Sequence, residues 1–279
     1  MTREIRVFPR RTQATPEDEL AFVGPPPDGV LDADSVSVSC TFTWDRPKAE
    51  ELAEAWGRRY SCVSLGGPAY DDPGDYFTPG RFLRYGYTIT TRGCPNKCWF
   101  CFVPRREGGL RILPVMDGWD ILDNNLLAAP QSHQERVFAM LKRQPKRPRF
   151  TGGLEAARLT SWFVDRLVET RLDILYLAYD RPAEAEPVQQ AISLLKAAGF
   201  KRSKIGVYVL VGYAGDTLDL ALQRVKWIKG QGATPFAMYY RNGESADKRP
   251  AEWGKFVRAW CRPAAIWAKP KLTMPRLSA

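Results

Sequence analysis

Two apolar runs, Ile174-Leu175-Tyr176-Leu177-Ala178-Tyr179 and Ile205-Gly206-Val207-Tyr208-Val209-Leu210-Val211, limit what this chain can fold into. Uncharged and rich in β-branched and aromatic residues, they suit strands buried on both faces of a parallel sheet. Amphipathic helices are expected around them. One covers 187–198 and is stopped by Gly199; another covers 217–229, where Leu218, Ala221, Leu222, Val225 and Ile228 make one apolar face. Further strand candidates lie at 86–91, 119–123, 148–151 and 235–240. Successive strands start about 30 residues apart, the length of a βαβ crossover. The pattern predicts an α/β fold in which six βα units over 85–240 form a partial barrel, with ligands at the carboxyl ends of the strands.

The flanking regions read differently. Residues 1–34 are rich in proline and charge, with Gly24-Pro25-Pro26-Pro27, and read as an extended N-terminal arm. Residues 35–84 read as a small βαβ segment. Its first strand alternates strictly, with Val36, Val38, Cys40, Phe42 and Trp44 on one face; a helix runs from Pro47 to Arg58, and a second strand from Cys62 ends in the turn Gly66-Gly67-Pro68. Over 241–279, Trp253, Phe256, Val257 and Trp260 fall at helical spacing after Pro250, which predicts a C-terminal helix packed on the barrel and then a basic tail. Pro270 to Ala279 are expected to be mobile.

Composition excludes several classes of function. With 279 residues, 44% hydrophobic and 26% charged, the chain can bury a substantial core. No apolar run approaches the length that crosses a bilayer, and the N-terminus has no apolar signal segment, so no membrane association and a cytoplasmic location are expected. The single histidine, His133, rules out histidine-based triads and the H-E-x-x-H and H-x-E zinc signatures. It lies in Ser132-His133-Gln134-Glu135, read as a capping box that puts it at the surface. A net charge of +10, concentrated in Lys142–Arg149 and in the stretch from Lys248 to Arg276, points to anionic partners, although a solvated linker and a loose tail account for it slightly better.

Three of the six cysteines crowd into Gly93-Cys94-Pro95-Asn96-Lys97-Cys98-Trp99-Phe100-Cys101, spaced C-x3-C-x2-C just after the strand candidate at 86–91. Clustered thiols in a chain without a signal segment indicate metal rather than cross-links. Zinc would call for a second pair of ligands, which is absent. Three thiolates can instead hold three corners of an iron–sulfur cube and leave the fourth iron open.

The loop and its place after the first strand resemble the radical S-adenosylmethionine (radical SAM) superfamily, over roughly residues 85–240. The resemblance implies a partial (β/α)6 TIM-type barrel, a [4Fe–4S] cluster on Cys94, Cys98 and Cys101, and S-adenosylmethionine on the open iron. It places Phe100 beside adenine, although Trp99 and Phe100 also suit a simple water shield. Asn124 and Asn125, ending the second strand, fall where the family accepts hydrogen bonds from the methionine amino group; an Asx-rich turn is the plainer reading. Gly152, Gly153, Glu155 and Arg158 match the third-strand element that reaches ribose or the methionine carboxylate, with Glu155 and Arg158 alternatively a surface i,i+3 pair. Gly212 matches the late glycine motif that packs on adenine, and also a strand-to-helix turn capped by Asp216 or Thr217. Tyr179 and Asp180 end the fourth strand and are expected to face substrate at the same mouth.

The implied reaction is reductive cleavage of S-adenosylmethionine, giving methionine and a 5′-deoxyadenosyl radical that abstracts hydrogen from an unreactive C–H bond. It needs an electron donor such as a flavodoxin or ferredoxin. The residues assign no substrate; the basic charge fits a nucleic acid or nucleotide. Methylthiotransferases of transfer RNA have a similar loop, but the three N-terminal cysteines of their second cluster and their C-terminal RNA-binding barrel are missing here. The N-terminal segment resembles a shrunken cobalamin-binding-type domain without its D-x-H-x-x-G motif, so cobalamin is not expected. A looser likeness is to short radical SAM proteins of phage and prophage genomes. The competing reading is a non-catalytic iron–sulfur or zinc protein that binds nucleic acid.

Overall fold

The computed structural model describes residues 3–29, 31–72, 74–242 and 249–268. Two parallel sheets dominate it. The larger has six strands: β5 (Tyr87–Thr88), β8 (Asp120–Ile121), β9 (Arg149–Leu154), β10 (Ile174–Tyr179), β11 (Ile205–Val211) and β12 (Thr234–Tyr239). Each pairs in parallel with its neighbours in chain order, from β5 at one edge to β12 at the other. Helices α3 (Gln131–Leu141), α4 (Ser161–Glu169), α5 (Ala185–Ala197) and α6 (Leu218–Gly230) fill the crossovers.

Burial in this sheet differs between its faces. Leu175, Leu177, Val207 and Val209 are fully buried and share a core with Val188, Ile192 and Leu195 of α5 and Val225 and Ile228 of α6. Each such side chain contributes about 1.5–3 kcal/mol relative to exposure. The opposite face, expected to be buried as well, is only half-buried. There Tyr176 stacks on Tyr208 at 4.4 Å with Phe236 edge-on. Large rings rather than a second helix layer cover that side, so continuous apolar strands did not require two buried faces. On α6 the buried stripe includes Arg224 beside Ala221, Val225 and Ile228.

The segment read as an arm over 1–34 is partly strand. β1 (Glu4–Phe8) and β2 (Ala21–Val23) join β3 (Ser35–Ser39) and β4 (Val63–Gly66) in a four-stranded parallel sheet of order β2-β1-β3-β4. Ile5 and Val7 alternate into a core with Val36, Val38, Leu52 and Trp56, the last two from α1 (Arg46–Gly57). Only five residues of the predicted β3 alternation are strand; Thr43–Asp45 form a 3-10 turn.

His133 is a second correction. Helix α3 starts after Pro130, without a side-chain cap, and His133 is 1% exposed. It points inward to Thr90 instead of outward. The C-terminal region forms α7 (Ala251–Trp260), packed on the core through Phe256, and α8 (Pro263–Trp267). The tail at Pro270–Ala279 lies outside the described residues.

Candidate functional site

The cysteine loop is a hairpin excursion at the carboxyl end of β5. It leaves β6 (Thr91–Arg92), passes through α2 (Val103–Arg106) and returns in β7 (Arg111–Ile112), which pairs antiparallel with β6. Its neck is tight. Gly93 has φ +76, and a Cβ there would sit 2.1 Å from the Gly109 carbonyl oxygen, so glycine is required. The Cys94 amide donates to Gly108 O at 3.2 Å. The buried Glu107 carboxylate sits 3.5 Å from both Arg92 and Arg106 and takes the Gly93 amide at 3.4 Å.

The ends of β8, β9 and β10 converge on this loop. After β8, Asn124 Oδ1 accepts from the Gly93 amide at 2.9 Å, so this carbonyl is already engaged in closing the neck. Asn125 Nδ2 donates to Cys94 Sγ at 3.4 Å and to Glu155 Oε2 at 2.7 Å. Arg158 Nε donates to the same Glu155 oxygen at 2.8 Å, so Glu155 and Arg158 form their i,i+3 pair and also join the site. Asn125 is 3% exposed, and among the described residues its Oδ1 has no hydrogen-bond partner. After β10, Asp180 adds to the rise of the Cys101 thiol, which burial chiefly causes. Burial and the neighbouring Glu184 push Asp180 itself up to about 7.

All six cysteines are free thiols. Burial raises Cys98 and Cys101, and Cys94 adds to both shifts, so the three loop thiols lie within electrostatic reach of one another. Among the described residues no group of three or more His, Cys, Asp or Glu side chains is placed to hold a single metal ion. Cys40 is buried and pushed up to about 11 by that burial, which makes it an inert core thiol.

The remaining expectations separate. Phe100 meets Trp99 edge-on at 5.4 Å, and Trp99, 57% exposed, meets Tyr213 and Tyr240. A Cβ on Gly152 would strike the Asp123 carbonyl at 2.4 Å, so Gly152 serves close approach of β9 to the end of β8. Gly153 takes φ +94 beside the Tyr208 ring. The space beside Gly212 is filled by Tyr239 and Trp253, and its amide donates to Asp216. Thr217, not Asp216, caps α6. Tyr179 is buried against Trp227 of α6 and does not reach the mouth.

Sequence reasoning missed Glu107 and a buried chain behind the loop. Arg136 donates to His133 Nδ1 at 3.2 Å, so His133 Nε2 carries hydrogen and donates to Thr90 Oγ1 at 3.1 Å. Thr90 donates to Asp123 through both its hydroxyl, at 2.6 Å, and its amide, at 2.5 Å. The acidic residue beside Asn124 was the one available signal for this chain. No protein-family model matches the sequence, and no curated protein matches it.

Proposed function

We propose that the chain is a radical SAM enzyme, with a [4Fe–4S] cluster on Cys94, Cys98 and Cys101 and S-adenosylmethionine beside it, in a partial (β/α)6 barrel. The observation that carries this reading is the open carbonyl of Asn125. Its nitrogen is committed to Cys94 and Glu155, which fixes the orientation of the amide and leaves a buried acceptor without a donor among the described residues. An unmet buried acceptor costs about 1–3 kcal/mol. An amino group held next to Cys94 would satisfy it, and that is where the cofactor's amino group would lie.

The donor set fits the same reading. A cube takes each thiolate at a separate iron. When bound, the cluster would supply the one electron that splits the sulfonium, drawn from a flavodoxin or ferredoxin. The chain's own residues would bind and shield: Asn125 would accept the amino group, the partly exposed Arg158 guanidinium suits the carboxylate, and the Phe100 ring, packed edge-on against Trp99, would cover part of the loop. Asp180, at the end of β10 on the cysteine-loop side, would meet substrate.

The test is anaerobic reconstitution with iron and sulfide, reduction, and assay of 5′-deoxyadenosine after adding S-adenosylmethionine. Release of the nucleoside supports the reading; a full cluster without release, or zinc in place of iron, overturns it.

A further inference from the structure

A cavity of about 1100 Å3 separates the two sheets. One wall is the carboxyl edge of the small sheet. Ligands of open parallel sheets bind beyond the carboxyl ends of the strands. Thr41–Trp44, after β3, and Gly66–Pro68, after the neighbouring β4, line the cavity at that end. The other wall carries Phe102 and Asn124, which flank the cysteine loop.

The lining offers three kinds of contact. Arg241 lies 4.3 Å over the ring of Trp44, which itself stacks on Phe42 at 4.7 Å, and Arg105 lies 5.3 Å over Phe102. Among the described residues neither arginine pairs with a carboxylate, so the N–H donors of each are uncommitted. Such donors match phosphate. Tyr76 is 83% exposed and meets no other ring among the described residues, which leaves an open face for a planar group. Asp71 and Asp72 supply acceptors for hydroxyl or amino groups.

We propose that this cleft binds a nucleotide, either free or as one unit of a nucleic-acid strand. Phosphate alone would use only the arginines, and an apolar ligand only the rings; phosphate, base and sugar together use all three. As an assignment of substrate class this rests on the reaction proposed above. The binding itself does not, because it can be measured on cluster-free protein.

The experiment titrates cluster-free protein with a nucleoside 5′-monophosphate, a single-stranded RNA of roughly ten nucleotides and inorganic phosphate, following anisotropy or heat. Arg105→Gln and Arg241→Gln should each weaken binding about tenfold, and Tyr76→Ala by a similar factor. Arg147→Gln, at the opposite, amino-terminal end of the large sheet, should change nothing. Circular dichroism checks that the variants fold. Binding of the monophosphate assigns a free nucleotide, and binding of the strand alone assigns nucleic acid. Absence of both, phosphate bound as tightly as nucleotide, or an equal loss in Arg147→Gln overturns the proposal. Nucleotide binding with no deoxyadenosine formed would remove the proposed reaction and leave the cleft assignment standing.

Discussion

The side-chain nitrogen of Asn125 lies 3.4 Å from the sulfur of Cys94, joining the end of β8 to the first cysteine of the loop. The adjacent Asn124 does a different job: its oxygen holds the Gly93 amide. The two asparagines should therefore fail differently. Asn125→Ala removes the open acceptor, and loss of one such bond, about 1–1.5 kcal/mol, weakens S-adenosylmethionine roughly tenfold with iron content near wild type. Asn124→Ala frees the neck and should lower iron retention first. Calorimetric titration beside iron analysis separates them; equal affinities for wild type and Asn125→Ala would remove the role given to its carbonyl.

Cys98→Ala tests the ligand set. The described Cys98 side chain makes no hydrogen bond that the fold depends on, so far-UV circular dichroism should be unchanged. Reconstituted iron and sulfide should fall to background, and deoxyadenosine formation with them. Full iron and sulfide in this variant would show that the cluster does not depend on Cys98.

The large sheet is legible because its strands carry their own signal: the apolar runs 174–179 and 205–211 match the observed strand limits, and the helical patterns at 187–198 and 217–229 match α5 and α6 to within a residue or two. β1 and β2 are not. Ile5, Val7 and Phe22 are too few to show a period, and they become strands only because β3 offers a partner. His133 was misread because Ser132 and Glu135 imitate a cap, while burial of the ring depends on Thr90, far away in sequence. In the site, the cysteines and the polar strand ends could be found from their types. Which asparagine is open, and that Tyr179 turns toward Trp227, are set by packing alone.

The buried chain from Arg136 to Asp123 predicts a pH effect on stability. Burial, and then Arg136, lower His133 from its ordinary 6.5. Protonation would place a second hydrogen on Nδ1, which already accepts from the guanidinium. The unfolded state then binds the proton more readily, so the folded state loses stability as pH falls below about 6.5 toward the folded value. Carboxylates raised by burial, such as Asp123 and Asp180, act in the opposite sense, so the useful comparison is with His133→Gln, in which those contributions cancel. Between pH 7 and 5 in denaturant titrations, wild type should lose stability relative to the variant, with a slope of at most about 1.4 kcal/mol per pH unit. A constant difference would mean that His133 titrates normally.

Arg224 and Asp216 form a buried ion pair at 2.6 Å, and Asp216 also accepts the Gly212 amide at 2.7 Å. This pair holds the turn from β11 into α6, which the resemblance had assigned to adenine. Arg224→Ala leaves a carboxylate buried without its cation, a loss of about 3–5 kcal/mol. Gly212→Ala should also destabilise, since its φ is +76 and a Cβ would stand 2.3 Å from the Tyr239 ring. Both losses should be read in urea unfolding of cluster-free protein without S-adenosylmethionine. If Gly212→Ala instead unfolds like wild type and only weakens S-adenosylmethionine, the glycine faces the cofactor after all, and Tyr239 and Trp253 must move aside when it binds.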